Sequence, residues 1–229
     1  MTSRTRLRDI LLLAACGLGV AFAAIVVCRA LHAPPAGLTG VAYAANAACW
    51  VFGYRDLARR RGWPDLRKRL APARASMLLA GAAAALLIIV LISGAEFVIA
   101  RLGVPLGKSP NFLLPADRRG LWILLLSIVV VAPVAEELMF RGLLLDWLRE
   151  HLPAGAAIWV GSLVFAALHG ISFHSGAGTW LAFADRTLLG VGASVFTLRT
   201  GSLRPGIVLH AITNALAVVL ALALAVCQG

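Results

Sequence analysis

The sequence contains little cysteine and little negative charge. Its 229 residues include four Cys and ten Asp and Glu, against 21 Lys and Arg. No two cysteines form a Cys-x-x-Cys pair, which argues against a zinc ribbon or a disulfide framework. All four lie in or at the ends of apolar runs, so we interpret them as packing residues. Internal repeats and low-complexity tracts are also absent, and the sequence therefore predicts one structural unit.

The chain is instead rich in long apolar segments. Hydrophobic residues make up 61% of it and the mean hydropathy is +0.90, whereas a soluble domain is about half apolar. We therefore expect an all-α fold, a polytopic transmembrane helix bundle of about seven spans with room for an eighth. The second span is the weakest, because Asn46 and Gly53 lower its apolarity. The predicted spans are 10–31, 37–54, 75–100, 119–148, 154–171, 179–199 and 204–227.

The net charge of +11 is concentrated in the polar segments between these spans. Arginine and lysine crowd residues 55–74, and Arg4, Arg6 and Arg8 precede the first apolar run. In a soluble protein this balance would suggest nucleic acid, but cytoplasmic loops of membrane proteins carry the same excess. We therefore expect no nucleic-acid partner. The lipid bilayer is the expected partner, with a cytoplasmic N-terminus and a basic cytoplasmic loop at 55–74.

The fourth predicted span contains three ionisable residues, Glu136, Glu137 and Arg141. Charged groups at bilayer depth are costly and are usually functional. Glu137 and Arg141 are four residues apart on a helix and can pair, which leaves Glu136 about 100° away without a helical partner. A carboxylate isolated in an apolar site suits a general acid or base near neutral pH. Pro133, one turn earlier, is expected to loosen the helix and make room for water.

The fifth span carries His169, four residues after Phe165 on the same helix face. A turn near 150–153 joins the fourth and fifth spans into a hairpin. Counted at about 1.5 Å per residue, Glu136 and His169 both lie about 22–26 Å from that turn. We therefore expect these two side chains at one level of the bundle.

The last span carries His210 and Asn214, again four residues apart on one face. The same count places them about 10–15 Å from the 199–204 loop, somewhat shallower than the other pair. Glutamate with histidine can deprotonate water, and histidine with asparagine can donate hydrogen bonds to a developing oxyanion. The set Glu136, His169 and His210 would also serve as zinc ligands.

Several protease signatures are missing. The sequence contains no His-Glu-x-x-His, no Gly-x-Ser-Gly with a partnered histidine, and no Tyr-Asp with Gly-x-Gly-Asp. Asp185 and Arg186, in the sixth span, could face a cavity or gate substrate, but such a pair more often lies near a span end with its side chains reaching toward the interface, and we favour that interpretation. The six tryptophans mostly fall at span ends, which is typical of an aromatic belt.

Three short motifs in the second half of the chain resemble those of the CPBP (Abi) family of intramembrane proteases, which includes the type II CAAX prenyl endopeptidases. The resemblance covers about residues 119–220. It implies a catalytic transmembrane core at 119–229, preceded by N-terminal transmembrane helices at 1–118. The motifs are Glu136-Glu137-x-x-x-Arg141, Phe165-x-x-x-His169 and His210-x-x-x-Asn214.

The resemblance also implies roles for these residues. Glu136 would act as general base with His169, and His210 and Asn214 would form the oxyanion hole. Members of the family have been named metalloproteases, but we expect a glutamate enzyme without a metal cofactor and keep zinc as the alternative. The residues implied to support the site are Glu137, Arg141 and Phe165.

We therefore expect an intramembrane endopeptidase that acts on a hydrophobic or lipidated peptide. The compact chain, rich in Ala, Arg and Leu, suggests the cytoplasmic membrane of a bacterium. Alternatives are a non-catalytic membrane scaffold, such as a bacteriocin-immunity or regulatory protein, and a zinc-dependent form of the same protease. A proton-coupled transporter is a further alternative, although the absence of an internal repeat counts against it.

Overall fold

The computed structural model describes residues 3–32, 35–62, 64–106, 118–169 and 176–228. Within those ranges all regular secondary structure is helical. Eight helices follow one another along the chain: α1 (Ser3–Ala30), α2 (Pro35–Arg61), α3 (Leu66–Arg69), α4 (Ala75–Arg101), α5 (Arg118–Arg149), α6 (Ala154–Leu168), α7 (Ala177–Thr200) and α8 (Arg204–Gln228).

The predicted helical membrane bundle is confirmed. Helices α1, α4, α5 and α7 are long and apolar enough to cross a bilayer, and α6 and α8 are shorter apolar helices. Helix α2 is not among them, in keeping with Asn46 and Gly53. In the described part of the chain only the four-residue α3 adds to seven long helices, so no eighth span is found there.

The basic segment 55–74 is not wholly a loop. Its first residues continue α2 to Arg61 and its middle forms α3, because arginine, alanine and leucine all favour helix. An ion pair between Arg60 Nε and Asp56 Oδ1, 2.8 Å apart, supports the last turns of α2. Gly62 then takes a φ of +68°, the left-handed conformation that commonly ends a helix.

The polar segments gather at one end of the bundle. The side chain of Arg6 at the start of α1 pairs with Glu150 after α5, and Arg69 of α3 pairs with Asp146 of α5. The backbone nitrogen of Leu203, just before α8, donates to the carbonyl of Arg69 at 2.8 Å. We call this the basic end; its shared position is what the positive-inside rule expects of loops on one side of a membrane.

One apolar core joins the N-terminal helices to the later ones. The boundary expected near residue 118 does not divide that core, and the two-part division of the chain stays a prediction. Buried members of the core from both parts are Ile10, Trp50, Tyr54, Ala85, Leu138, Phe165 and Leu209.

Helices α6 and α7 pack closely because each presents a small residue, as is common between membrane helices. A Cβ atom added to Gly190 would lie 2.8 Å from Cβ and 3.0 Å from Cα of Ser162. We predict that Gly190→Ala lowers the free energy of unfolding by about 1–3 kcal/mol through overpacking, measured by thermal unfolding in detergent. Gly94→Ala on α4, where nothing lies within 4 Å, is the matched control; equal melting temperatures for both variants would contradict the prediction.

Candidate active site

Helix α5 changes its hydrogen-bond register twice around the paired glutamates. Leu126–Val131 and Phe140–Leu144 are π-helical, and Ala132–Met139 between them is α-helical. Glu136 and Glu137 lie on this middle stretch. π-helical turns are rare and are frequently found at functional sites, so the backbone of α5 and its charged residues indicate the same region.

Pro133 leaves one carbonyl of α5 without a helical donor, and Asn214 of α8 serves it instead. Proline has no N–H, and the N–H of Ala132 donates to the carbonyl of Ser127. The carbonyl of Ile128 accepts a hydrogen bond from Asn214 Nδ2 at 2.7 Å. A buried carbonyl without a donor is costly, so this bond fastens α8 to α5 about two turns before the glutamates.

Glu137 and Arg141 form the ion pair that their spacing predicts. Arg141 Nη1 donates to Glu137 Oε1 at 2.9 Å, and the two side chains are 2% and 0% exposed. The same Oε1 lies 3.1 Å from Nδ1 of His210, a contact that the sequence did not indicate. Arg141 also stacks over Phe165, with Cζ 4.6 Å from the ring centroid. Each buried charge thus has partners, which offsets its desolvation cost.

Glu136 faces histidines from two other helices. Its Oε2 lies 3.3 Å from Nε2 of His169 and 3.7 Å from Nε2 of His210. The side chain of His210 is 3% exposed, that of Glu136 16% and that of His169 29%. The group therefore has a closed side at His210 and an open side at His169.

His169 follows the last residue of α6, and its ring is held from both sides. Nδ1 lies 2.8 Å from the carbonyl oxygen of Phe165 and donates to it, and Nε2 faces Glu136. The buried Phe165 ring lies 4.3 Å from the His169 ring and 5.7 Å from the His210 ring, between centroids. Phe165 thus fixes the orientation of both histidines.

The expected depth mismatch of His210 is not found. Its Nε2 lies 3.7 Å from Oε2 of Glu136, so His210 reaches the level of Glu136.

A comparison with known proteins finds a family model that resembles the second half of the chain. Residues 118–216 match a family model described as Type II CAAX prenyl endopeptidase Rce1-like. The segment contains all the predicted site residues, from Glu136 to Asn214, and the resemblance to type II CAAX prenyl endopeptidases is confirmed. At family level this similarity supports a CAAX protease-like intramembrane endopeptidase.

One curated relative is an uncharacterized 24.3 kDa protein of Escherichia coli. The two are 34% identical over 86 residues, which are 38% of this chain and 38% of that protein. The match thus spans well under half the length of that relative. No solved structure gives a significant match.

An apolar cavity of about 510 Å³ borders Glu136 and His169. Side chains of α1, α2, α5 and α6 line it. Its lining residues Leu11, Leu18 and Leu168 are 59%, 60% and 67% exposed, so the cavity opens on the outer surface of the helices. Apolar material in the surrounding lipid can therefore reach the two polar groups from the side.

Sequence reasoning missed the residues that α2 contributes to this cavity, Tyr43, Asn46 and Trp50. Their spacing of three and four residues places them on one helix face, which is the signal that was available. The belt interpretation fails for Trp50, which is 8% exposed and meets Phe140 edge to face at 6.5 Å between centroids. It packs in the core because Gly17 of α1 leaves space beside its ring.

The interpretation of Asp185 and Arg186 as a pair at a span end is also wrong. Asp185 is 6% exposed and lies well inside α7, which spans Ala177–Thr200. Its Oδ2 accepts a hydrogen bond from Nη1 of Arg186. The hydropathy pattern gave no sign of this burial, because only the packing of α7 against its neighbours creates it.

A zinc site would need three or more suitable ligands around one point. Among the described residues no group of three His, Cys, Asp or Glu side chains is arranged to hold a metal ion. The alternative set Glu136, His169 and His210 does not meet that arrangement, so no step is derived through zinc.

Proposed function

We propose that the chain is an intramembrane endopeptidase in which Glu136 and His169 activate water to hydrolyse a peptide bond. The observation that carries this proposal is the position of Glu136 Oε2, which lies 3.3 Å from His169 Nε2 and 3.7 Å from His210 Nε2. Three helices that are distant in sequence bring these atoms together beside a cavity. A bundle that used these groups only for packing would have no need to leave them next to open space.

The proton arrangement favours a base. His169 donates its Nδ1 hydrogen to the carbonyl of Phe165, so its Nε2 is an acceptor, as is the ionised Glu136. Nε2 of His169 and Oε2 of Glu136 lie 3.3 Å apart. If both are acceptors, no hydrogen bond forms between them until a proton is supplied. A water molecule at this point would supply that proton and become the nucleophile, which is general base catalysis.

His210 and Asn214 are proposed to stabilise the oxyanion. The Glu137 carboxylate lies 3.1 Å from Nδ1 of His210 and holds the ring with Nε2 toward Glu136, where an Nε2 hydrogen would be donated to the oxyanion. Asn214 Nδ2 carries two hydrogens, of which one serves the carbonyl of Ile128. The second remains for the oxyanion, and the first keeps the amide in place before the reaction begins.

The substrate is proposed to be a hydrophobic or lipidated peptide. The cavity beside Glu136 is apolar and opens sideways, so a membrane-bound chain would enter it without leaving the bilayer. We place the protein in the cytoplasmic membrane of a bacterium, with the basic end and the N-terminus in the cytoplasm. The lipid bilayer is its surroundings, and no nucleic-acid partner is proposed.

The reaction is proposed to need no metal. We predict that purified protein in detergent cleaves a fluorogenic hydrophobic peptide at the same rate with and without a strong chelator, because carboxylate and imidazole suffice as the base. A known zinc protease in the same buffer serves as the control for chelation. Activity that disappears with chelator and returns with added zinc would restore the zinc alternative.

A further inference from the structure

The basic end of the bundle carries exposed cationic side chains around the short helix α3. Arg67 and Lys68 belong to α3, and Arg74 directly precedes α4. Arg204 is the first residue of α8, and its Nε donates to the carbonyl of Leu70, just after α3, at 2.7 Å. All four cationic residues are exposed. We call Arg67, Lys68, Arg74 and Arg204 the α3 patch; the proposed reaction does not use it.

The acidic side chains beside the α3 patch are already engaged. Asp65 caps α3, and its carboxylate accepts hydrogen bonds from the backbone N–H groups of Arg67 and Lys68. Asp146 pairs with Arg69, which is outside the patch. Among the described residues no carboxylate forms an ion pair with a member of the patch. The positive charge of the patch is therefore available to a ligand.

Helix α3 has an inner side and an outer side. On the inner side Leu66 and Leu70 pack against the apolar core, and Arg69 is 7% exposed. Arg67 and Lys68 are exposed on the outer side. Because the inner residues fix α3 to the bundle, these two cations are held at the surface in a defined position.

The α3 patch lies where the bundle enters the lipid. Helix α4 is long and apolar enough to cross a bilayer, and it begins at Ala75, directly after Arg74. Leu79 of α4 is 70% exposed and lies about 7.5 Å along the helix from Arg74. The polar headgroup layer on each side of a bilayer is about 5–7 Å thick. The patch is therefore at the level of the lipid headgroups when Leu79 is in the hydrocarbon.

We propose that the α3 patch binds the phosphate groups of anionic phospholipids. Guanidinium groups present paired donors that match phosphate oxygens, and clusters of basic residues beside a span attract anionic lipid. A zwitterionic headgroup carries its own cation, so it competes poorly for the patch. This proposal concerns a surface of the protein outside the candidate active site and does not depend on the proposed function.

Lipid bound at the α3 patch would also stabilise the bundle, because the segment around α3 joins α5 to α8. The side chain of Arg69 pairs with Asp146 of α5. The backbone nitrogen of Leu203 donates to the carbonyl of Arg69 at 2.8 Å, and Oγ of Ser202 donates to the carbonyl of Ala71 at 2.7 Å. A ligand that binds only when this segment is docked shifts the equilibrium toward the folded state.

The test compares phosphatidylglycerol with phosphatidylcholine of the same acyl chains, each added to the purified protein in detergent. We expect phosphatidylglycerol to raise the melting temperature by about 4–8 °C at saturation, and phosphatidylcholine to raise it by less than half as much. Native mass spectrometry should show the anionic lipid bound. High salt should weaken both effects, because it screens exposed charges.

Arg67→Gln combined with Lys68→Gln should lose more than half of the rise and most of the bound lipid, whereas Arg67→Lys, which keeps the charge, should retain both. Arg29→Gln combined with Arg101→Gln is the matched control. It removes the same charge from exposed positions in the last turns of α1 and α4, at the opposite end of the bundle, and should respond as wild type does.

Inorganic phosphate and soluble glycerophosphoglycerol, at the same concentration as the lipid, should leave the melting temperature unchanged, since the headgroup must be held at the membrane surface. A rise with these soluble compounds would identify a free-phosphate site and overturn the inference. Equal responses to the two lipids, or equal losses in the two double variants, would also overturn it. None of these measurements involves peptide cleavage, so such a failure would leave the proposed function untouched.

Discussion

Replacing Glu136 with glutamine is expected to reduce peptide cleavage by about a thousandfold, within the range for loss of a general base. The amide has nearly the shape of the carboxylate, but it cannot take a proton from water. The fold should be retained, because the hydrogen bonds of α5 to α8 that involve Glu137 and Ile128 do not include Glu136. The measurement is kcat on a fluorogenic hydrophobic peptide in detergent.

Glu96→Gln is the matched control for this experiment. It makes the same chemical change on the exposed face of α4, and it should leave both cleavage and melting temperature unchanged. A Glu136→Gln protein that cleaves as fast as wild type would disprove the proposed base. If the variant instead kept its role in cells while wild type cleaved nothing, the non-catalytic scaffold would be favoured.

Replacing Arg141 with methionine is expected to lower the free energy of unfolding by about 3–5 kcal/mol, the usual cost of breaking a buried ion pair. The side chain of Glu137 is 0% exposed. In the variant it would keep its contact with His210 but would lose the guanidinium group of Arg141 that pairs with its carboxylate. Methionine fills most of the volume beside the Phe165 ring. The decrease in the free energy of unfolding therefore comes more from the lost charge than from lost packing. Heat-induced unfolding in detergent measures it.

The second variant in this series is Glu137→Gln combined with Arg141→Met. It removes both charges, so it should recover more than half of the lost stability, because a neutral buried pair leaves no charge uncompensated. Arg149→Met, at the exposed end of α5, should change the stability by less than about 0.5 kcal/mol. Equal free energies of unfolding for the Arg141 and Arg149 variants would show that the Glu137–Arg141 ion pair does not stabilise the fold.

The sequence predicted the helices and the identity of the polar residues well, because both depend on short-range pattern. Helix α4 was expected at 75–100 and lies at Ala75–Arg101. The spacing of Glu137 and Arg141 predicted their pairing, and depth counting brought Glu136 and His169 to one level. Whether these residues perform the proposed catalysis stays a prediction.

What the sequence could not give depends on contacts between distant helices. The π-helical segments of α5 have no sequence signature beyond Pro133. The hydrogen bond from Asn214 to the Ile128 carbonyl joins two residues that are 86 positions apart in the chain. Burial of Asp185 and Trp50 likewise follows from which neighbours pack against them. Hydropathy reports how apolar a segment is, but it contains no information about which face of it meets which partner.

The bond between Asn214 and Ile128 has a consequence for the order of assembly. During synthesis α5 is made well before α8, so the Ile128 carbonyl has no donor when α5 first enters the bilayer. Glu137 is neutralised within α5 by Arg141 and can enter with it, whereas Glu136 meets its histidines only after α6 and α8 have docked. The last described helix therefore completes both the backbone of α5 and the reactive cluster in a single step. A nascent chain held short of α8 would carry every residue of the first two motifs and still lack the contacts of His210 with Glu136 and Glu137.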